Sequence, residues 1–271
     1  MAGSDVRSLL RLTAFVVALG GTYWLFIRVP YGRAIDGASY SEAAHFGALV
    51  EAGNQYRLVV PVLILLVAAA FGIVALVERR WTDAVRAAVI VVGSVLVAEA
   101  LKLTLPGPTI GTSGQADNTF PSGHVAVAVS GVIAMGVLLP WRAWRWPVVG
   151  LATVATVVVA WTSTLSFAHR PSDVIGGALV AGIVASAVLW RGVAIVDTSR
   201  ILAVVVGCAA VGSAALVVLG VVAGGRLDAA DPDVSLSAWM LVSAVGVIAA
   251  VAVAPGSAPA HGRARGPGLS S

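Results

Sequence analysis

Two short stretches of the sequence each combine a histidine with other functional groups. One stretch could bind an anion beside its histidine, and the other could orient its histidine for chemistry. In the first stretch, Ser122 and Gly123 stand directly before His124. A Pro-Ser-Gly turn at the start of a helix leaves backbone N–H groups free, and such groups bind anions. In the second stretch, Asp173 follows His169 by four residues, so one helical turn brings the carboxylate to the imidazole. An aspartate that holds one ring N–H leaves the other nitrogen basic and able to act as a nucleophile.

Three further charged residues lie near these stretches. Glu99 and Lys102 are three residues apart within an apolar segment, so they share a helix face and can neutralise each other. An ionisable side chain in such a segment indicates a functional site, and the alternative is a structural ion pair. Arg170 follows His169 and is either an anion-binding group or a side chain at the headgroup surface.

The composition shows what kind of protein must position these residues. Of 271 residues, 59% are hydrophobic and 11% are charged, whereas a soluble domain carries about 25% charged residues. A soluble fold of this size could not cover so much apolar surface. This excludes a soluble enzyme and a nucleic-acid-binding module. The single cysteine, Cys208, has no intrachain partner for a disulfide.

The apolar residues form runs long enough to cross a bilayer, which takes about 20 residues in a helix. Strand-like alternation is absent, so we predict an all-α integral membrane protein with about eight transmembrane helices. The polytopic domain covers residues 1–254, and residues 255–271 form a disordered cytoplasmic tail rich in Gly, Pro, Ala and Arg. The predicted spans are 8–29, 58–77, 84–104, 123–140, 147–168, 173–190, 201–223 and 237–254.

The arginines predict the orientation. With the N-terminus in the cytoplasm, eleven arginines lie in inside segments and five in outside segments, as the positive-inside rule requires. Lys102, His124 and the pair His169 and Asp173 then reach the outer face from different helices. We expect a multi-pass protein of the cell membrane with both termini cytoplasmic and the site facing outside. A phosphoryl-transfer site would use these residue types in this arrangement.

The same residues resemble the motifs of the type 2 phosphatidic acid phosphatase (PAP2) superfamily. The family pattern is Lys-x(5–6)-Arg-Pro, then Pro-Ser-Gly-His, then Ser-Arg-x5-His-x3-Asp. The resemblance covers residues 99–180, and the middle motif is intact from Pro121 to His124. It implies a six-helix membrane core, followed in this chain by two C-terminal helices.

The resemblance also implies the role of each matching residue, and it implies that no metal or other cofactor is required. His169 would form a phosphohistidine intermediate, Asp173 would orient it, and His124 would act as the general acid. The remaining substrate-binding residues would be Lys102, Ser122, Gly123 and, as a replacement for a missing arginine, Arg170.

Both arginines of the family pattern are replaced. Gly107 stands in the first motif and Ser163 in the third where the family has arginine. Arginine offers a planar fork of donors to phosphate oxygens. Losing a charged donor to the transition state typically costs about a hundredfold or more in rate.

These observations predict a metal-independent phosphatase that hydrolyses a phosphomonoester or diphosphate of a phospholipid or polyprenyl lipid at the outer leaflet. Its partners would be the phosphorylated lipid substrate and membrane lipids, with no nucleic acid. The alternative is a weakly active or inactive member that binds or moves a phospholipid or supports a membrane complex. A lipid phosphotransferase would use the same residues. The complete pair of nucleophile and orienting acid favours catalysis.

Overall fold

The computed structural model of this chain describes residues 2–30, 32–33, 36–37, 47–107, 118–139, 142–190 and 232–252. Within these ranges the regular structure is entirely helical, which confirms the predicted all-α class. The first helix continues as a π-helical turn, Trp24–Arg28. The helices are α1 Ala2–Tyr23, α2 Gly47–Val77, α3 Trp81–Thr104, α4 Gly123–Leu138, α5 Arg142–Leu165, α6 Pro171–Val188 and α7 Pro232–Ala252.

Several of these helices can cross a membrane, so the chain is a multi-pass membrane protein. Two described helices are apolar but shorter, Gly123–Leu138 and Leu241–Val251. The predicted span 201–223 and the predicted tail lie outside the described residues, so a total of eight spans stays a prediction. The helices long and apolar enough are Ser8–Arg28, Gly53–Val77, Trp81–Thr104, Pro147–Leu165 and Pro171–Val188.

The first three helices direct large apolar side chains away from the protein interior. Leu10 in α1, Leu66 in α2 and Leu96 in α3 are all more than 60% exposed. In water such a surface would be an association site, whereas lipid tails solvate it without cost. These helices therefore form much of the lipid-facing surface.

Helix α4 lies at the centre of the bundle. It packs against α2, α3, α5 and α6, and every residue in the range 128–138 is buried. Its sequence explains this position, because a helix that is apolar on all sides can be buried on all sides. Helix α6 is buried in the same way, without interruption from Pro171 to Gly182.

The first turns of α4 and α6 meet at one end of the bundle, which we call the site end. The Ser122 N–H donates a hydrogen bond to the Asp173 carbonyl, 2.7 Å away. Two glycines make the contact possible. A Cβ atom at Gly176 would lie 2.5 Å from the Phe120 ring, and one at Gly177 would overlap the Ser122 carbonyl oxygen.

Arginines close the other end of α4, which we call the arginine end. Arg80 Nη1 donates to the Leu138 carbonyl over 2.7 Å, and Arg80 Nη2 donates to the Val137 carbonyl over 3.2 Å. Arg145 Nη2 donates to the Leu139 carbonyl over 2.6 Å. The last carbonyls of a helix have no partner within the helix and carry its negative dipole end, so cations stabilise them.

Helix α2 begins earlier than the sequence predicted. The predicted spans leave residues 30–57 outside the membrane helices, but α2 starts at Gly47, so that prediction is wrong for residues 47–57. Hydropathy shows where a segment becomes apolar, whereas a helix can begin in the polar residues before it. Residues 47–57 include several good helix formers, among them alanine, leucine, glutamate and glutamine. Arg57 therefore lies on a helix.

Candidate active site

His169 is held in the short turn between α5 and α6. Its N–H donates to the Ser163 carbonyl over 3.1 Å, and Phe167 takes a positive φ of 57° where the chain reverses. Pro171 then begins α6, which suits a position that has no N–H acceptor within the helix. The imidazole is 8% exposed. The turn therefore places a nearly buried imidazole at the site end.

Asp173 lies one turn into α6 and faces this imidazole. The distance from His169 Nδ1 to Asp173 Oδ2 is 3.8 Å, too long for a hydrogen bond. Asp173 Oδ2 instead accepts hydrogen bonds from the Arg170 N–H, over 3.0 Å, and from the Thr119 hydroxyl. His169 Nδ1 and Asp173 Oδ1 are buried and have no hydrogen-bond partner among the described residues. The predicted pair is adjacent, but its direct hydrogen bond is not formed.

The start of α4 offers backbone donors. Ser122 is the N-cap, and its hydroxyl oxygen accepts from the Val125 N–H over 3.5 Å. The prediction of free N–H groups in this turn is wrong for Ser122, because the Asp173 carbonyl accepts from its N–H. Within the described ranges, no acceptor contacts the N–H groups of Gly123 and His124. These two groups form the anion-binding end of the helix.

The two predicted catalytic histidines come together at this point. The ring centroids of His124 and His169 are 5.9 Å apart, with the rings edge to face at 60°. Both imidazoles can therefore contact one phosphoryl group bound at the start of α4.

Lys102 reaches the same place from the last turn of α3. Its Nζ donates to Glu99 Oε1 over 2.7 Å, so the predicted ion pair is present. A Cβ atom at Gly123 would lie 3.3 Å from Lys102 Nζ and 3.2 Å from Glu99 Oε1. The ammonium group and its carboxylate partner therefore both lie against the first residue of α4.

The comparisons with known proteins agree with this arrangement. Residues 85–197 match the model of the PAP2 superfamily. The resemblance found in the motifs is thereby confirmed, and the matched range contains all the predicted site residues. Members of this superfamily are generally phosphatases. Comparisons with curated proteins and with solved structures found no match.

The two positions where the PAP2 pattern has arginine carry no charge in this chain. Ser163 is fully buried and its hydroxyl donates to the Val159 carbonyl over 2.7 Å. A Cβ atom at Gly107 would lie 3.3 Å from the Asn118 side chain. Asn118 itself donates to the carbonyls of Lys102 and Leu105, over 3.2 Å and 3.0 Å. It therefore caps α3, as expected of a loop residue.

Arg170, the predicted replacement for a PAP2 arginine, is 5% exposed and not at the headgroup surface. It is the N-cap of α6, and its carbonyl accepts from the Asp173 N–H over 3.0 Å. Its charge also acts on the carboxylate of Asp36. Its role as a substrate ligand stays a prediction.

Asp36 is a residue of this site that the sequence did not reveal. Asp36 is 1% exposed. Its Oδ1 accepts from the Ser172 N–H over 3.0 Å, and its Oδ2 accepts from the Ser172 hydroxyl over 2.6 Å. Burial, together with the charge of Asp173, raises the pKa of Asp36 to about 7, against the hydrogen bonds from Ser172 and the charge of Arg170. No local pattern could have indicated this contact, since it joins residues 136 positions apart.

Arg57 is the second residue that the sequence reasoning missed. Its positive charge acts on the His124 imidazole, as do the charges of Lys102 and Glu99. In the sequence Arg57 directly precedes a predicted span, so the sequence could not show that its side chain lies near His124. Four polar residues between the predicted spans, His45, Thr109, Thr112 and Ser113, lie outside the described ranges. Among the described residues, no group of three His, Cys, Asp or Glu side chains could hold a metal ion.

Proposed function

We propose that this protein is a membrane lipid phosphatase that hydrolyses a phosphomonoester or diphosphate of a phospholipid or polyprenyl lipid. One observation carries the proposal. Two imidazoles face each other at 5.9 Å beside the free N–H groups of α4. A nucleophile, a proton donor and an anion-binding helix end are the parts that phosphoryl transfer to a histidine needs.

The substrate phosphate would bind at the first turn of α4. The N–H groups of Gly123 and His124 would donate to its oxygens, and the ammonium of Lys102 would balance its charge. The lipid tail would stay among the apolar side chains of the surrounding helices. Headgroup and tail then keep the environments that they have in the bilayer.

Transfer would begin when His169 Nε2 attacks phosphorus, because Nδ1 is the nitrogen that faces Asp173. A P–N bond forms, the P–O bond to the lipid breaks, and His124 gives its proton to the departing oxygen. Water then attacks the phosphohistidine, and His124 takes a proton from it. Inorganic phosphate leaves, and both histidines return to their starting state.

Asp173 would orient the nucleophile through these steps. The 3.8 Å separation between the carboxylate and His169 Nδ1 would shorten to a hydrogen bond when phosphate binds, since catalytic hydrogen bonds are often long in ligand-free enzymes. The bonded carboxylate stabilises the positive charge that the ring acquires on attack.

The distribution of arginines supports an orientation with the site end at the outer face of the membrane, which we place in the cell membrane. The substrate would then come from the outer leaflet. Labelling of single cysteines introduced at Arg28 and Arg79 in intact cells would test this. We expect reagent outside the cell to label position 28 and not position 79.

The activity itself is tested by phosphate release from purified protein in detergent with a metal chelator present. The substrates would be phosphatidate, phosphatidylglycerol phosphate, and polyprenyl phosphates and diphosphates. We expect His169→Ala to reduce release by about a thousandfold or more, because it removes the nucleophile. His261→Ala, in the C-terminal tail, is the matched control and should keep full activity.

Release that is unchanged in His169→Ala would contradict the proposal. No release from any lipid by folded wild-type protein would support the lipid-binding alternative. Transfer of the phosphate to an added lipid alcohol, in place of release, would indicate a phosphotransferase.

A further inference from the structure

The outer turn of α2 lies against the end of α5 that leads into the His169 turn. A Cβ atom at Gly53 would lie 3.4 Å from the Thr162 carbonyl oxygen and 3.7 Å from the Ser166 Cβ atom. The small residue at position 53 therefore lets the two helices approach closely. Arg57 is four residues later, one turn along the same face of α2.

Arg57 is close enough to the catalytic residues for its charge to act on the His124 imidazole, as the charge of Lys102 does. Arg57 Nε donates to Asn54 Oδ1 over 2.8 Å, which holds the stem of the side chain to its own helix. Arg57 is partly exposed, so it is not enclosed within the bundle.

Arg57 also differs from Lys102 and Arg170 in the acids that lie near it within the described part of the chain. Lys102 is paired with Glu99, and the charge of Arg170 acts on the carboxylate of Asp36. Among the described residues, no carboxylate lies within ion-pair distance of Arg57. A cation in this position has charge available for an anion that is not part of the protein.

We propose that Arg57 is a phosphate-binding residue of this site, supplied by α2 in place of the arginines missing at positions 107 and 163. The inference rests on the proposed function, because the anion it assigns is the substrate phosphate. The guanidinium would donate hydrogen bonds to phosphate oxygens through its planar fork. Lys102 would supply a second, point-like charge.

A larger side chain at position 163 would displace its neighbours, because Ser163 is fully buried and its hydroxyl donates to the Val159 carbonyl over 2.7 Å. Helix α5 therefore supplies no planar donor at this position. Arg57, on the neighbouring helix α2, would supply one.

The test measures binding of inorganic phosphate to the purified full-length protein, by calorimetry, in wild type and variants. We expect Arg57→Gln to weaken phosphate binding by about tenfold or more, since hydrogen bonds to charged groups are among the stronger ones. Arg57→Lys keeps the charge without the fork and should recover part of the affinity. Arg28→Gln removes an exposed arginine from the same end of the bundle, and it should change the affinity by less than about twofold.

The result that would overturn the inference is an Arg57→Gln affinity within about twofold of wild type. An equal loss in Arg28→Gln, or no binding by the wild type, would do the same. Thermal unfolding shows whether each variant is folded. A failure of the proposed function is visible separately, in the phosphate-release assay of wild type and His169→Ala, because phosphate binding does not depend on transfer to His169.

Discussion

At the scale of single residues, two charged groups of the site, Lys102 and Asp173, are bonded within the protein in the ligand-free state. Glu99 occupies the ammonium of Lys102 at the first residue of α4. Asp173 is held by Thr119 and the Arg170 N–H and has not yet bonded to His169. Both acids must give way or shift when a phosphate arrives. The net binding energy of a phosphate would therefore be reduced by the energy needed to break or shift these internal bonds.

Glu99→Gln tests this competition. The carboxylate lies beside the proposed phosphate site and repels a dianion, and it also neutralises Lys102. Its side chain is 53% exposed, so losing the ion pair should cost little stability. We expect the variant to bind inorganic phosphate between about twofold and tenfold more tightly, from the Coulomb energy of partly solvated charges.

Phosphate titration of wild type and Glu99→Gln at two salt concentrations is the measurement. The gain should shrink at high salt, because screening weakens the repulsion that the substitution removes. Weaker binding in Glu99→Gln would contradict the competition and would mean that Glu99 is needed to hold Lys102 in position.

At the scale of the helices, the sequence predicted most of what positions the site. The apolar runs predicted the membrane helices that the structure describes. Because successive helices cross the membrane in opposite directions, the sequence also predicted that Lys102, His124 and His169 lie at one end of the bundle, and the structure places them there. Arg57 and Asp36 were not predictable in the same way. Each acts across a contact between distant segments, and such contacts depend on packing that no local pattern records.

The start of α6 shows how much depends on one of these contacts. Asp36 holds both the N–H and the hydroxyl of Ser172, between the nucleophile and its orienting acid. Its pKa is raised to about 7, so the folded protein binds a proton that the unfolded chain releases near pH 4. The contribution of Asp36 to stability is therefore complete below pH 4. It falls as the pH rises towards 7.

Asp36→Asn should remove this pH dependence, because asparagine keeps the hydrogen bonds of the protonated acid. Thermal unfolding in detergent between pH 5 and pH 8 is the measurement. We expect the free energy of unfolding of the variant to rise relative to that of the wild type as the pH rises, by up to about 1.4 kcal/mol per pH unit. Above about pH 7 the difference should stay constant. Asp5→Asn, at an exposed site in α1, is the control. A constant difference across this range would contradict the titration of Asp36.

At the scale of the whole molecule, the two ends of α4 have separate tasks. The site end carries the proposed active site, and the arginine end fixes the helix through Arg80 and Arg145. Arg80 also pairs with Asp83 in the first turn of α3, over 2.8 Å. One side chain therefore links the start of α3 to the end of α4.

Arg80→Ala should lower stability without changing the affinity for phosphate, because it acts at the end of α4 away from the site. Losing charged hydrogen bonds to helix carbonyls should cost about 1–3 kcal/mol in the free energy of unfolding. Thermal unfolding and phosphate titration of the same samples measure both quantities. Arg79→Ala, at the exposed neighbouring position, is the control. A changed phosphate affinity with unchanged stability would contradict the separation of the two ends.

The length of α4 bears on the depth of the site in the bilayer. Its 16 residues span about 24 Å, whereas the hydrocarbon core is about 30 Å thick. If Arg80 and Arg145 lie at one interface, the first turn of α4 would lie about 6 Å below the opposite one. A substrate phosphate would then enter slightly below the membrane surface, and its lipid would not have to leave the bilayer.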